Sequence, residues 1–232
     1  MTSILLAVVL GSAPFWGAPP PPEPPVPGPA AIHAAQPDWG ALTGPAPAEG
    51  SPRDAQDLAT LLRLQASRTP EDTDRILGEE HLGLDTFAAA LGDGFDPGRC
   101  PLTAHLLAKA GKDIKAVVEE LKLRFARPRP CAAHPEVVPV APCREGYSYP
   151  SYHAARGVLF AALLADLAPD RAPALQSRGL EIGGDRALGG LHHPSDVEAG
   201  QRLGAAFLPF WLGRAGHARL LDGARWNEWN GR

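Results

Sequence analysis

The sequence is poor in cysteine, methionine and aromatic residues, with three Cys, one Met and 6% Phe, Trp and Tyr in 232 residues. Three cysteines cannot close a disulfide framework, so the fold has to rest on a packed core; Cys131 and Cys143 are able to pair in an oxidising compartment and leave Cys100 outside the bridge. A basic surplus is also missing. With 22 Lys+Arg against 26 Asp+Glu and a formal charge of −4, the chain lacks the electrostatic footprint of a DNA- or RNA-binding protein. No nucleic-acid partner is expected. Long apolar runs are absent too: Arg202 and Pro209 break the C-terminal one and Asp166 the one before it, short of the roughly 18 to 20 residues needed to span a bilayer. The processed chain is therefore expected to be soluble, without stable membrane insertion. Strand signals are nearly absent, and no internal repeat is visible.

What is present is a large apolar fraction, 44%, in a chain long enough for one medium domain with a sizeable core. Of the 26 prolines, 12 fall in the first 50 residues, eight of them between Pro19 and Pro29. Proline at that density removes backbone donors and favours polyproline II. The apolar run Ile4 to Leu10 ahead of it matches a secretory signal in part, without a preceding Lys or Arg. Residues 1–35 are read as signal peptide and Pro-rich disordered segment, residues 36–232 as one helical domain, and the location as periplasmic or secreted.

The domain reads as all-α. Ala55, Leu58, Leu61, Leu62 and Leu64 fall at helical spacings, and Pro70-Glu71 opens the next helix. Pro101 to Phe125 forms one long helix with a stripe of Leu106, Leu107, Ala110, Ile114, Val117, Val118, Leu121 and Phe125, ending before Pro128 and Pro130. After a Pro- and Cys-punctuated loop over 131–150, Ala154 to Leu167 is again helical. A last helix starts at Pro194 and is expected to stop at Pro209.

Three segments, each placed at a helix terminus, hold the chemically capable side chains: Lys122 to Pro130, Pro150-Ser151-Tyr152-His153, and Arg186 to Asp196. Fixed positive charges, a hydroxyl, imidazoles and one carboxylate suit a small oxyanion such as phosphate better than a metal ion. Asp196, four residues after His192, is placed to hold one ring nitrogen and free the other for attack on phosphorus.

The spacing Lys122, six residues, Arg129-Pro130; Pro150-Ser151-any-His153; Arg186, five residues, His192, three residues, Asp196 resembles the three-part signature of the type 2 phosphatidic acid phosphatase superfamily. Within it, the chain is similar over residues 40–215 to bacterial class A non-specific acid phosphatases. The resemblance implies a compact helical bundle and hydrolysis of small-molecule phosphate monoesters without metal or other cofactor. It assigns His192 as the nucleophile that forms a phosphohistidine, Asp196 as its orienting partner and His153 as general acid. Lys122, Arg129, Ser151 and Arg186 match the phosphate ligands, and Tyr152 is placed with them. Both a monomer and a homo-oligomer are compatible with this reading. Two rivals remain in view: a vanadium-dependent haloperoxidase-like enzyme, and a catalytically silent phosphate-binding protein.

Two positions depart from the family pattern. Tyr152 stands where glycine is usual, so its ring is expected to narrow the mouth of the site, and Asp185 stands before Arg186, where pairing would weaken the grip of Arg186 on phosphate. His193 either caps the helix opened by Pro194 or replaces His192. Arg124 and Arg127 read as solvated charges near a helix C-terminus, and His33, His81, His105, His134 and His217 as ordinary core or surface residues without motif context. Trp226 and Trp229 read as a C-terminal segment docked on the core.

Overall fold

Residues 37–230 are described by the structure, a computed structural model. The signal-peptide and Pro-rich expectation for residues 1–35 lies outside them. Among the described residues there are helices and no strands, the all-α bundle expected from the sequence. In order they are α1 (Trp39–Thr43), α2 (Pro52–Ser67), α3 (Pro70–Gly78), α4 (Ala88–Leu91), α5 (Pro101–Phe125), α6 (Pro130–Ala133), α7 (Tyr152–Leu167), α8 (Ala172–Leu188), α9 (Pro194–Leu212) and α10 (His217–Ala224). Short 3₁₀ turns and a final π turn, Arg225–Trp229, join and end them.

Helix starts follow local chemistry. Ser51 and Thr69 cap α2 and α3 through their hydroxyls, and proline occupies the first turn of both, where its missing N–H costs nothing. The long α5 begins at Pro101, ends at Phe125 and is closed by Ala126 in the left-handed region, φ 48°. Pro209 does not end α9, which runs on to Leu212, and α10 follows it, so the helix opened by Pro194 is not the last.

The apolar α7 is the centre of the bundle, packed on α8, α9 and α5. Its buried Leu159, Phe160, Leu163 and Leu164 meet Leu106, Leu107, Ala110, Ile114 and Val118 of α5 and Leu203 and Phe207 of α9 in one core. The approach of α7 to α8 is close enough that a Cβ on Gly157 would sit 2.6 Å from the Gly179 carbonyl oxygen. Only glycine fits there. At the far end, Trp229 stacks on Phe95 at 5.7 Å and docks as expected, while Trp226 stays exposed.

This packing brings the C-terminal end of α5, the N-terminal ends of α7 and α9 and the last turn of α8 to one side. The loop after α6 crosses the same place, pinned by the Cys131–Cys143 disulfide, with Cys100 buried elsewhere in the core.

Candidate active site

A cleft of about 650 Å³ opens at that junction, and Lys122, Arg129, Tyr152, His153, Arg186 and His192 all line it. Six of the eight residues singled out in the sequence thus face one space. The other two lie beneath it. Asp196 is fully buried under His192, and Ser151, also fully buried, caps α7 with its Oγ and ties the two helix starts together by donating its backbone N–H to the Asp196 carbonyl oxygen at 2.9 Å.

His192 is 5% exposed, with Nε2 3.4 Å from Nη1 of Arg129. Its Nδ1 lies 3.5 Å from Oδ2 of Asp196, an ion-pair distance, and has no hydrogen-bond partner in this geometry. His193 reaches the same oxygen more closely, with its backbone N–H at 2.8 Å and its Nδ1 at 3.1 Å, and so caps α9. Its ring does not line the cleft, which leaves His192 as the imidazole on the substrate side.

Burial disfavours charge on Lys122, Arg129, His153, Arg186 and His192. It pushes His192 down to about 4 despite the opposing pull of Asp196, and His153 down to about 3, helped by the charges of Arg186 and His192. Lys122, Arg129 and Arg186 are also lowered chiefly by burial. Burial alone would raise Asp196, but the neighbouring His192 and His193 hold it well below the ordinary carboxylate range. The cleft is therefore a set of desolvated donors in need of an anion. The two imidazoles are both lowered rather than pushed apart.

Arg186 is fixed by long-range contacts: its Nη2 donates to the Ile76 carbonyl at 2.9 Å and to Oε2 of Glu79 at 2.6 Å. Asp185 does not pair with it. That carboxylate accepts a bidentate pair from Arg75, at 3.0 and 2.8 Å, and is turned away from the cleft arginine. Tyr152 is the first residue of α7 and has no positive φ, so the position does not need glycine. Its ring forms part of the cleft wall, its hydroxyl donates to the Gly111 carbonyl at 3.0 Å, and Arg156 lies 5.4 Å over its face.

Arg127 is the residue that sequence reasoning missed. It is 5% exposed rather than solvated, and its guanidinium donates to Asp54 at 2.8 Å, Asp57 at 2.9 Å, Asp196 at 2.8 Å and the Ser195 hydroxyl at 2.6 Å. Its carboxylate partners on α2 are some seventy residues away in sequence, so no local pattern marks it. Arg124, by contrast, is exposed and pairs with Asp38 at 3.2 Å.

The PAP2 superfamily profile matches residues 101–216, from the start of α5 to just before α10. An acid phosphatase of Zymomonas mobilis is 30% identical over 192 residues, covering 78% of this chain and 72% of that protein. A non-specific acid phosphatase of Salmonella typhimurium is 47% identical over 62 residues, 27% of this chain and only a quarter (25%) of that protein. Among solved structures, a transmembrane PAP2 type phosphatidylglycerolphosphate phosphatase from Bacillus subtilis shares the fold, with a TM-score of 0.53 at 17% identity over 79% of this chain and 91% of that one. Among the described residues of this chain, no helix is long and apolar enough to cross a membrane.

Proposed function

The chain belongs to the PAP2 superfamily, and from that premise we propose that it is an acid phosphatase hydrolysing small phosphate monoesters through a phosphohistidine on His192. The observation that carries this reading is the convergence of Lys122, Arg129, Arg186, His153 and His192 on one cleft, with Asp196 buried behind His192.

Phosphoryl transfer asks for positioning and for positive charge on the non-bridging oxygens. Lys122, Arg129 and Arg186 supply that charge, so the groups touching the phosphoryl oxygens need include no metal ion. Asp196, 3.5 Å from Nδ1 of His192, favours the proton on that nitrogen and leaves the Nε2 lone pair for phosphorus. As the P–Nε2 bond forms, the ester P–O bond breaks and the departing oxygen takes the proton of His153. Water then attacks phosphorus, giving its proton to His153, and the P–N bond breaks to release phosphate. Ser151, buried at the start of α7, contributes to the floor of the cradle, and Tyr152 sets its width.

A periplasmic or secreted location is supported by the Cys131–Cys143 bridge, since such bridges persist in oxidising compartments. Rapid-quench trapping with a radiolabelled phosphate monoester tests the mechanism. The expected phosphoenzyme is stable to alkali, labile to acid and absent in His192→Ala. Turnover with no such species, or a species that survives His192→Ala, overturns the reading. Bromide oxidation with vanadate and peroxide in place of ester hydrolysis would favour a haloperoxidase, and phosphate binding without turnover a silent binder.

A further inference from the structure

Asp196 carries two imidazoles, and only His192 faces the cleft. The second, His193, is 1% exposed and has its Nδ1 3.1 Å from Oδ2 of Asp196. An ionised carboxylate only accepts, so Nδ1 of His193 holds the proton and Nε2 carries the lone pair. That Nε2 is buried and has no hydrogen-bond partner. A buried acceptor left this way costs free energy unless a proton or a cation meets it.

What surrounds it is a ligand set. One ligating atom from each of Asp54, His134 and His193 lies within 4.8 Å of the other two. His134 stands edge-on to His193, ring centroids 6.2 Å apart. Asp54 already accepts from Arg127 and from the Gly50 N–H, one bond on each oxygen, and keeps a lone pair on each.

Charge points the same way. Three buried carboxylates, Asp54, Asp57 and Asp196, share the single buried guanidinium of Arg127. The next cation, Arg53, is 3.6 Å from Asp57 but mostly outside, and it also pairs with Glu198. The cluster of buried groups has more negative than positive charge.

We propose that Asp54, His134 and His193 bind a zinc ion, with water or another ligand in the fourth position. Two imidazoles and one carboxylate are a donor set that zinc accepts in tetrahedral geometry. The bond from His193 to Asp196 is the outer-shell contact such a ligand normally makes, fixing its tautomer and ring orientation. Here that outer-shell carboxylate is also the one behind His192. The metal does not touch the substrate; it positions Asp196 through His193. The zinc site stands apart from the phosphohistidine reading: metal content tests the one, the trapped phosphoenzyme the other.

The experiment uses the full chain, stripped with chelator and titrated with Zn²⁺ alone, with bound metal measured by equilibrium dialysis and elemental analysis. Wild type is expected to bind one equivalent and to melt at a higher temperature once loaded. His134 is half-buried and outside the Arg127 network, so His134→Ala should fold, and it should lose at least about tenfold in zinc affinity and the thermal shift. Asp54→Asn should weaken zinc similarly, and His153→Ala should leave it unchanged. Co²⁺ in place of Zn²⁺ should give the visible absorption of a four- or five-coordinate site in wild type and not in His134→Ala. No stoichiometric zinc in wild type overturns the proposal. So does zinc that survives His134→Ala, or zinc lost in His153→Ala, since that ion would sit in the cleft.

Discussion

Arg127 donates from Nη1 to Oδ1 of Asp196 at 2.8 Å, so the carboxylate beneath His192 is held from behind by a guanidinium that never reaches the cleft. The other arm of the same group ties α2 to this point through Asp54 and Asp57. The N-terminal helices are thereby linked to the orientation of Asp196, whose carboxylate His192 and His193 hold ionised against burial.

Arg127→Ala would leave three buried carboxylates facing each other. Removing one partner of a buried ion pair typically costs about 3 to 5 kcal/mol, and urea unfolding of the variant should show a loss of that size. Arg127→Lys keeps the charge but not the fork, so it should fall between Ala and wild type in stability. A loss under about 0.5 kcal/mol for Arg127→Ala would restore the solvated-charge view of this residue.

Much of the candidate site is legible in the sequence because its parts are local. His192 and Asp196 are four apart at a helix start, and Lys122 and Arg129 flank a helix stop marked by prolines, so their spacing carries the family resemblance that singles them out. The partners that hold the site are not local. Glu79 reaches Arg186 across more than a hundred residues, and Asp185 finds Arg75 over a similar distance. Helix α8 has no clear bounds in its sequence, since Gly179, Gly183 and Gly184 oppose helix on propensity alone. Close contacts reward Gly179, against Gly157 and Ala161 of α7, and Gly183, against Ala154 and Val197, an effect visible only once the helices are packed. Pro209 shows the reverse case, where tertiary packing carries a helix past a local breaker.

His192 and His153 are both uncharged near neutrality, their pKa values pushed down to about 4 and about 3 against an ordinary value near 6.5. Between the lowered and the ordinary values the unfolded chain binds more protons than the folded one, so stability should fall as pH drops from about 6.5 toward 4. A bound phosphate dianion favours both imidazolium forms and reverses part of that trend. Phosphate binding should take up protons, measurable by calorimetry in buffers of different ionisation enthalpy. The rate should be bell-shaped on the acid side, its falling limb lying higher in kcat than in kcat/KM. A rate that climbs steadily to pH 9 is incompatible with His153 as the acid.

The Cys131–Cys143 bridge, twelve residues apart, pins a loop whose residues Ala141 to Tyr147 line the cleft opposite α7. A bridge over a loop of this length contributes about 2 to 3 kcal/mol. Cys131→Ser or mild reductant should lower Tm by about 5 to 10 °C for a domain of this size. KM should rise more than kcat falls, since the loop forms a wall and holds no transferred proton. Unchanged Tm on complete reduction would show that the loop is held by its other contacts.

Tyr152 supplies bulk to the same cleft without straining α7. Tyr152→Gly should raise kcat/KM for bulky phosphate esters several-fold and leave small ones near wild type. Equal losses on both classes would instead place Tyr152 in the phosphate cradle.

The two cleft histidines differ in what their removal should do. His192→Ala removes the covalent step, so activity should vanish whatever the leaving group. His153→Ala matters in proportion to how badly the departing oxygen needs a proton, typically about 10²- to 10⁴-fold for a positioned acid. An alkoxide leaves poorly unprotonated and p-nitrophenolate leaves readily, so the loss should be far larger on an alkyl phosphate than on p-nitrophenyl phosphate. The two share one space, and His192 lowers His153 by its charge, so each variant must first be shown folded by circular dichroism. Equal losses on both substrates for His153→Ala would leave His153 as a phosphate ligand, and substantial activity in His192→Ala would remove His192 as the nucleophile.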